Sequence, residues 1–66
     1  MKNTIKIERA IKNITQGTLA ELTQVSRQNI NAIETGKYVP STVLALKIAR
    51  VFGKPVESVF ILEDHD

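Results

Sequence analysis

Two nearby stretches of the chain carry the same signal for the start of a helix. ITQGTL (residues 14–19) and VSRQNI (residues 25–30) each contain an apolar residue, then a hydroxyl residue, then a second apolar residue four positions after the hydroxyl. The hydroxyl can cap the first helical turn, and the two apolar side chains can pack together across it. One helix is therefore predicted to begin at Gln16 and another to run from Arg27 to about Thr35, with a tight turn between them.

Further helix signals lie before and after this pair. Apolar residues at three- and four-residue spacing predict a first helix that has one apolar face and ends near Asn13: Ile7, Ala10, Ile11 and Ile14. A fourth helix, apolar on nearly all sides, is predicted to start at Ser41 or Thr42 and to end at Gly53. Pro55 suits the first position of a short fifth helix. The expected fold is all-α, with five short helices.

The last apolar run, Val59 to Leu62, is too hydrophobic to be left in water. It can be covered by the core of its own chain, by a strand that pairs with Asn3 to Ile7, or by a second subunit. Under the third alternative, the C-terminal segment is the candidate dimer interface, with the residues Val56, Val59, Phe60, Ile61 and Leu62.

Size and composition restrict the class of protein. A chain of 66 residues is near the lower limit for folding alone, and with no cysteine it has neither disulfides nor a zinc ribbon. It contains neither a signal-peptide pattern nor about 18 consecutive apolar residues, so a cytoplasmic protein without membrane contact is expected. A single histidine, His65, and isolated glycines predict no enzyme activity and no cofactor.

Charge is distributed unevenly along the chain. Residues 1–56 contain all nine Lys and Arg residues and three Glu residues, whereas residues 57–66 contain four acidic residues and no Lys or Arg. A basic body favours a polyanionic partner, through attraction and counterion release. Many small proteins without a nucleic-acid role are equally basic, so this observation alone is weak.

Polar side chains cluster at the start of the predicted third helix. Ile30 and Ile33 are expected to point inward, which leaves one outward edge: Arg27, Gln28, Asn29, Asn31 and Ala32. In the major groove, Gln and Asn can pair with adenine and Arg with guanine. Any solvent-facing helix also shows polar residues. The edge alone therefore fits either a DNA-reading surface or an ordinary solvated helix face.

The order and spacing of several motifs resemble one known family. ITQGTLAEL, VSRQNINAIETGKYVPS and LALKIARVFGKPVE follow one another as in the short phage-repressor and Cro-type (XRE-type) helix-turn-helix regulators, over about residues 5 to 62. The resemblance implies a lambda-repressor-like DNA-binding domain spanning residues 1–66, with its helix-turn-helix at about residues 16–35. A small terminal β-strand pair is compatible with this fold.

The resemblance also implies roles for individual residues. In this family the third helix reads bases, which assigns base contacts to Arg27, Gln28 and Ala32, flanked by Asn29 and Asn31. DNA-backbone contacts are implied for Gln16, Thr35, Lys37, Tyr38 and Ser41. Arg9 and Glu34 match a buried ion pair between the first and third helices.

Some positions depart from the family pattern. Gln24 stands where the turn usually has glycine, Thr23 replaces a usual apolar residue, and Glu8 occupies a position that is often leucine. A left-handed backbone at Gln24 would cost energy that glycine avoids. These departures concern the geometry of the turn rather than the fold.

The expected function is that of a sequence-specific double-stranded DNA-binding regulator. A repressor that binds a pseudo-palindromic operator as a homodimer, without a small-molecule effector, is predicted. The alternative is a protein-interaction module on the same fold, either an antitoxin or an adaptor. An adaptor would not need Arg27, Gln28 and Asn29 on the exposed edge.

Overall fold

The computed structural model describes all 66 residues. They form five helices and a two-stranded sheet, joined by turns and loops. The elements are β1 (Lys2–Asn3), α1 (Ile5–Lys12), α2 (Gln16–Thr23), α3 (Arg27–Glu34), α4 (Thr42–Phe52), α5 (Val56–Val59) and β2 (Phe60–Ile61). The strands are antiparallel, with Lys2 opposite Ile61 and Asn3 opposite Phe60. The five helices and the terminal strand pair are confirmed. The first strand is shorter than the sequence suggested, because α1 already begins at Ile5.

Three helices start at the hydroxyl residues that cap them. The side chains of Thr15, Ser26 and Ser41 each accept a hydrogen bond from the backbone amide three residues later, at 3.0, 3.0 and 3.2 Å. These bonds fix the starts of α2, α3 and α4. Pro55 is extended and precedes α5 rather than forming its first helical residue.

The hydrophobic core is built from all five helices and β2. Its members are Ile5, Leu19, Ala20, Ile30, Ile33, Leu44, Ile48, Ala49, Phe52, Val59 and Phe60. Helix α4 contributes four of them, although its Val43 and Leu46 are exposed, so it is not buried on all sides. At 11 residues α4 is the longest helix, and none of the helices combines the length and apolar character needed to cross a bilayer.

The apolar face of α1 points away from the core. Ile7 is 62% exposed and Ile11 70% exposed, whereas Ile5 and Glu8 are the buried residues of this helix. The expected helix is present and ends where predicted, with Asn13 as its left-handed cap. Of the predicted apolar face, Ile7, Ala10 and Ile11 are exposed, and Ile14, which follows the helix, packs against the core. Within the helix, Ile5 and Glu8 face inward instead.

The C-terminal segment is divided between the core and the surface. Val59 and Phe60 are buried among the core residues of their own chain, and only Ile61 and Leu62 are exposed. A residue that its own core encloses is unavailable to a second subunit. Val59, which is fully buried, is therefore corrected from an interface candidate to a core residue. Phe60 belongs to the core and also pairs with Asn3 in the strand pair, so the first two alternatives both apply to it, and its remaining exposed edge lines a surface depression.

The turn between α2 and α3 accommodates both unusual residues. Gln24 adopts the left-handed conformation, at φ 62° and ψ 40°. Thr23 is buried, but its hydroxyl donates a hydrogen bond to Leu19 O at 2.8 Å, so its polar atom is satisfied. The small side chain of Ala20 lies buried beneath the turn, and Val25 N donates to Ala20 O at 3.0 Å. The two helices are thus joined closely without glycine.

Candidate nucleic-acid interface

The start of α3 presents long polar side chains in front of a rigid support. Arg27, Gln28 and Asn31 are exposed, while Ile30 and Ile33 on the same helix are buried behind them. Of the five candidates for base contact, Asn29 and Ala32 are the two that are half-buried. The exposed part of the edge therefore consists of Arg27, Gln28 and Asn31, of which Arg27 and Gln28 lie in the first turn of the helix.

Two open depressions adjoin this edge. One, of about 340 Å³, is lined by Gln16, Arg27, Gln28 and Asn31. The other, of about 390 Å³, lies between the end of α1 and the starts of α2 and α3, and it shares Gln16 and Arg27 with the first. Guanidinium and amide donors beside a helix N-terminus are groups that bind phosphate oxygens.

The side chain of Gln16 is held at both ends by residues of α3. Its Nε2 donates to Glu34 Oε2 at 2.6 Å, and its Oε1 accepts a hydrogen bond from Asn31 Nδ2 at 3.4 Å. The amide therefore spans the gap between α2 and α3. Of the five backbone-contact candidates, Gln16 is the one linked in this way to the helix that presents the polar edge.

Glu34 also receives the guanidinium of Arg9 from α1. Arg9 Nε lies 2.8 Å from Glu34 Oε1, and Arg9 Nη2 lies 3.2 Å from Oε2. Burial alone would raise the pKa of Glu34, but hydrogen bonds from Arg9 and Gln16 outweigh it, so the pKa lies below the ordinary value. One ionised carboxylate thus connects α1, α2 and α3.

The loop after α3 holds the remaining backbone-contact candidates. The side chains of Lys37 and Tyr38 are exposed, while their backbone amides both donate to Ala32 O, at 2.9 and 3.2 Å. The hydroxyl of Thr35 donates to Asn31 O at 2.8 Å, and that of Ser41 caps α4. Lys37 and Tyr38 therefore have side chains ready for an external partner, whereas the two hydroxyls already have partners within the chain.

Two contacts at this site have no signal in the sequence. The Gln16–Glu34 bond joins residues on different helices, and Asn3 Nδ2 donates to Ile33 O at 2.9 Å, which ties β1 to the end of α3. Neither pair shares a local motif or a helical spacing. Only the packing of the helices brings these residues together.

A separate apolar depression lies along α4. Its volume is about 370 Å³, and its apolar lining is formed by Met1, Val39, Pro40, Ala45, Leu46, Val56, Phe60 and Leu62. Val39, Leu46 and Leu62 are exposed, and Leu62 reaches 78%. An apolar surface of this kind is typical of a protein contact rather than of a nucleic-acid contact.

Comparisons with known proteins identify the family to which this fold belongs. The helix-turn-helix family model matches residues 5–59. Proteins named as uncharacterized HTH-type transcriptional regulators are similar over the full chain: one from Methanocaldococcus jannaschii is 54% identical and one from Bacillus subtilis 47% identical, each over 66 residues and all of both chains. A third, from Archaeoglobus fulgidus, is 46% identical over all of this chain and 93% of its own. The chain therefore belongs to the XRE-type helix-turn-helix family of DNA-binding transcriptional regulators.

Proposed function

We propose that this protein is a repressor that binds a pseudo-palindromic double-stranded DNA operator as a homodimer. The observation that carries the proposal is the exposed pair Arg27 and Gln28, which stands at the start of α3 beside the Gln16 depression. A helix presented in this way can enter the major groove while neighbouring groups bind the DNA backbone.

Each part of the edge has a chemical role in this proposal. Arg27 pairs with guanine and Gln28 with adenine, each contributing about 1 to 3 kcal/mol of discrimination. Gln16, at the start of α2, and Lys37, after α3, contact phosphates and set the position of the helix. Tyr38 extends the backbone contact on the side of Lys37.

Dimerisation uses the apolar depression along α4. Val39, Leu46 and Leu62 are exposed there and lie outside the polar edge of α3. A second copy would cover these side chains and place the two recognition helices on one face of the duplex, with half-sites about 34 Å apart. A dimer bound in this way across two successive major grooves would repress transcription by occupying the operator and excluding other proteins from it.

The test is selection of binding sites from random duplex DNA with the purified protein at about 150 mM salt. The enriched sequence and a scrambled control are then compared by fluorescence anisotropy. Enrichment of a two-fold symmetric site, bound at least about 10³-fold more tightly than the control, is expected. Weak, salt-sensitive binding without enrichment would instead favour a protein-interaction module.

A further inference from the structure

We propose that Glu34 and Asn31 are positioning residues that orient the Gln16 amide for its contact with the DNA backbone. This inference rests on the proposed function, and it changes two assignments. It gives Glu34 a role beyond its ion pair with Arg9, and it assigns Asn31 to the support of Gln16 rather than to base reading.

The Glu34 carboxylate sets the orientation of the Gln16 amide. An ionised carboxylate only accepts hydrogen bonds, so the Gln16 atom 2.6 Å from Glu34 Oε2 must be the nitrogen. The Gln16 oxygen then faces Asn31, whose Nδ2 donates to it at 3.4 Å and supports the same orientation. A reversed Gln16 amide would place its oxygen against the carboxylate, so that two acceptors would face each other.

This orientation leaves one donor of Gln16 for DNA. The Nε2 group has two hydrogens, and Glu34 takes one of them. The second remains for a phosphate oxygen, in the depression that Gln16 shares with Arg27. A flipped amide would direct its carbonyl oxygen at the phosphate, and two acceptors would then face each other.

Glu34 is suited to hold the amide because it is itself immobilised. Its side chain is only 8% exposed, and two nitrogens of Arg9 bind it. Because Glu34 lies on α3, the backbone contact of α2 is set relative to the recognition helix. The phosphate contact and the base-reading edge therefore share one support.

The test is a double-mutant cycle on DNA affinity with Gln16→Ala, Glu34→Gln and the double variant. In Glu34→Gln, the new side chain has one oxygen and one NH₂ group. Arg9 can only donate, so it binds the oxygen, and the NH₂ group then faces Gln16. The Gln16 amide is expected to turn so that its own oxygen accepts from this NH₂ group. Each single variant is expected to bind about 3- to 10-fold more weakly per half-site, on operator and scrambled duplex alike. The double variant is expected to bind no more weakly than Gln16→Ala.

Two further variants separate positioning from simple stability. Asn3→Ala removes the bond to Ile33 O and so also loosens α3, but it does not contact Gln16. Its effect on affinity is expected to multiply with that of Gln16→Ala, as for independent sites. Asn31→Ala changes an exposed side chain and is expected to weaken binding evenly, with sequence preference kept and with no further loss in the Gln16→Ala background.

The free protein provides a readout without DNA. The side-chain NH₂ signals of Gln16, followed by NMR, are expected to shift in Glu34→Gln and in Asn31→Ala, but not in Asn3→Ala. Gln16 NH₂ signals that do not shift in Glu34→Gln would overturn the positioning role. So would a double variant whose loss of affinity equals the product of the losses in Gln16→Ala and Glu34→Gln. Relaxed preference at one base pair in Asn31→Ala would return this residue to base reading.

Failure of the proposed function gives a different result. A wild-type protein that bound operator and scrambled duplex equally would refute sequence-specific regulation. The double-mutant cycle on Gln16 and Glu34 could still be measured in that case, because a contact to the DNA backbone is made on any duplex. Removing Gln16 does not change the charge of the protein, so a loss of affinity in Gln16→Ala would report the lost contact rather than a lost cation.

Discussion

Glu8 Oε2 lies 2.6 Å from Lys54 Nζ, so an ion pair joins the inward side of α1 to the segment after α4. The Glu8 side chain is 8% exposed and that of Lys54 45% exposed. The carboxylate thus occupies a core-facing position, beside the buried Ile5, in a helix whose Ile7 and Ile11 face solvent. The charged Glu8 side chain can lie at this buried position because Lys54, from a distant part of the chain, pairs with it.

Replacing Lys54 and replacing Glu8 should have different effects on stability. Lys54→Met leaves a buried carboxylate unpaired, and since Lys54 is half exposed we expect a loss of about 1 to 2 kcal/mol in unfolding free energy. Glu8→Leu replaces the charge with an apolar side chain of similar volume and should be neutral or stabilising. Urea denaturation measures both, and a large loss in Glu8→Leu would contradict this account.

The left-handed backbone at Gln24 predicts a stabilising substitution. Gln24→Gly relieves the steric cost of φ 62° but adds freedom to the unfolded chain, so a net gain of about 0.5 to 1 kcal/mol is expected. Gln24→Ala is the matched control, because it removes the exposed bond from Lys47 without relieving the backbone. Equal midpoints for the two variants in thermal denaturation would rule out backbone strain as the cause.

The lowered pKa of Glu34 predicts a loss of stability in acid. The folded-state pKa lies below the ordinary value of 4.5, so the stabilisation is complete above that value and disappears as the pH falls through the folded-state pKa. Unfolding free energy measured between neutral pH and pH 2 should fall more steeply for wild type than for Glu34→Gln. Parallel curves would show that another group controls the acid transition.

Base reading and backbone contact predict opposite signatures on DNA. Gln28→Ala should relax specificity by about 1 to 3 kcal/mol at one base pair of each half-site. Lys37→Ala should weaken binding to all sequences alike and reduce the salt dependence, because a cation is lost. Affinities for a set of single-base operator variants at several salt concentrations distinguish the two. Unchanged preference in Gln28→Ala would mean that α3 is not the recognition helix.

The dimer interface can be tested with two matched surface changes, each of which replaces an exposed apolar side chain with lysine. Leu46→Lys places a charge in the apolar depression along α4 and is expected to yield monomers in sedimentation velocity. Ile11→Lys makes the same kind of change on the exposed face of α1 and should leave the dimer intact. The reverse outcome would move the interface to α1.

Local signals in the sequence predicted the positions of the helices well. Hydroxyl caps at Thr15 and Ser26 act within one helical turn, so the sequence alone placed the starts of α2 and α3. It placed the start of α4 at Ser41 or Thr42, and the structure selects Thr42, with Ser41 as the cap. Periodicity was less reliable for burial. Ile7 and Ile11 have the spacing of a helical face, but which face meets the core depends on how α1 is rotated against α4, and Glu8 needs the distant Lys54 to lie inside.

The candidate site shows the same division. The exposure of Arg27 and Gln28 follows from their place in the first turn of α3, with Ile30 and Ile33 turned inward. The partners of Gln16 could not be inferred from neighbouring residues, because Glu34 and Asn31 reach it across a helix–helix contact. The division of the C-terminal segment between core and surface likewise depends on β2 pairing with β1.

The strand pair has a consequence for the order in which the domain can fold. β1 and β2 pair across a loop of chain that contains all the helices, so this contact has a high sequence separation. The contact between α2 and α3 is local and can form without closing that loop, whereas Val59 and Phe60 complete the core only when β2 has met β1. Helices α2 and α3 can therefore associate before the domain that holds them is closed.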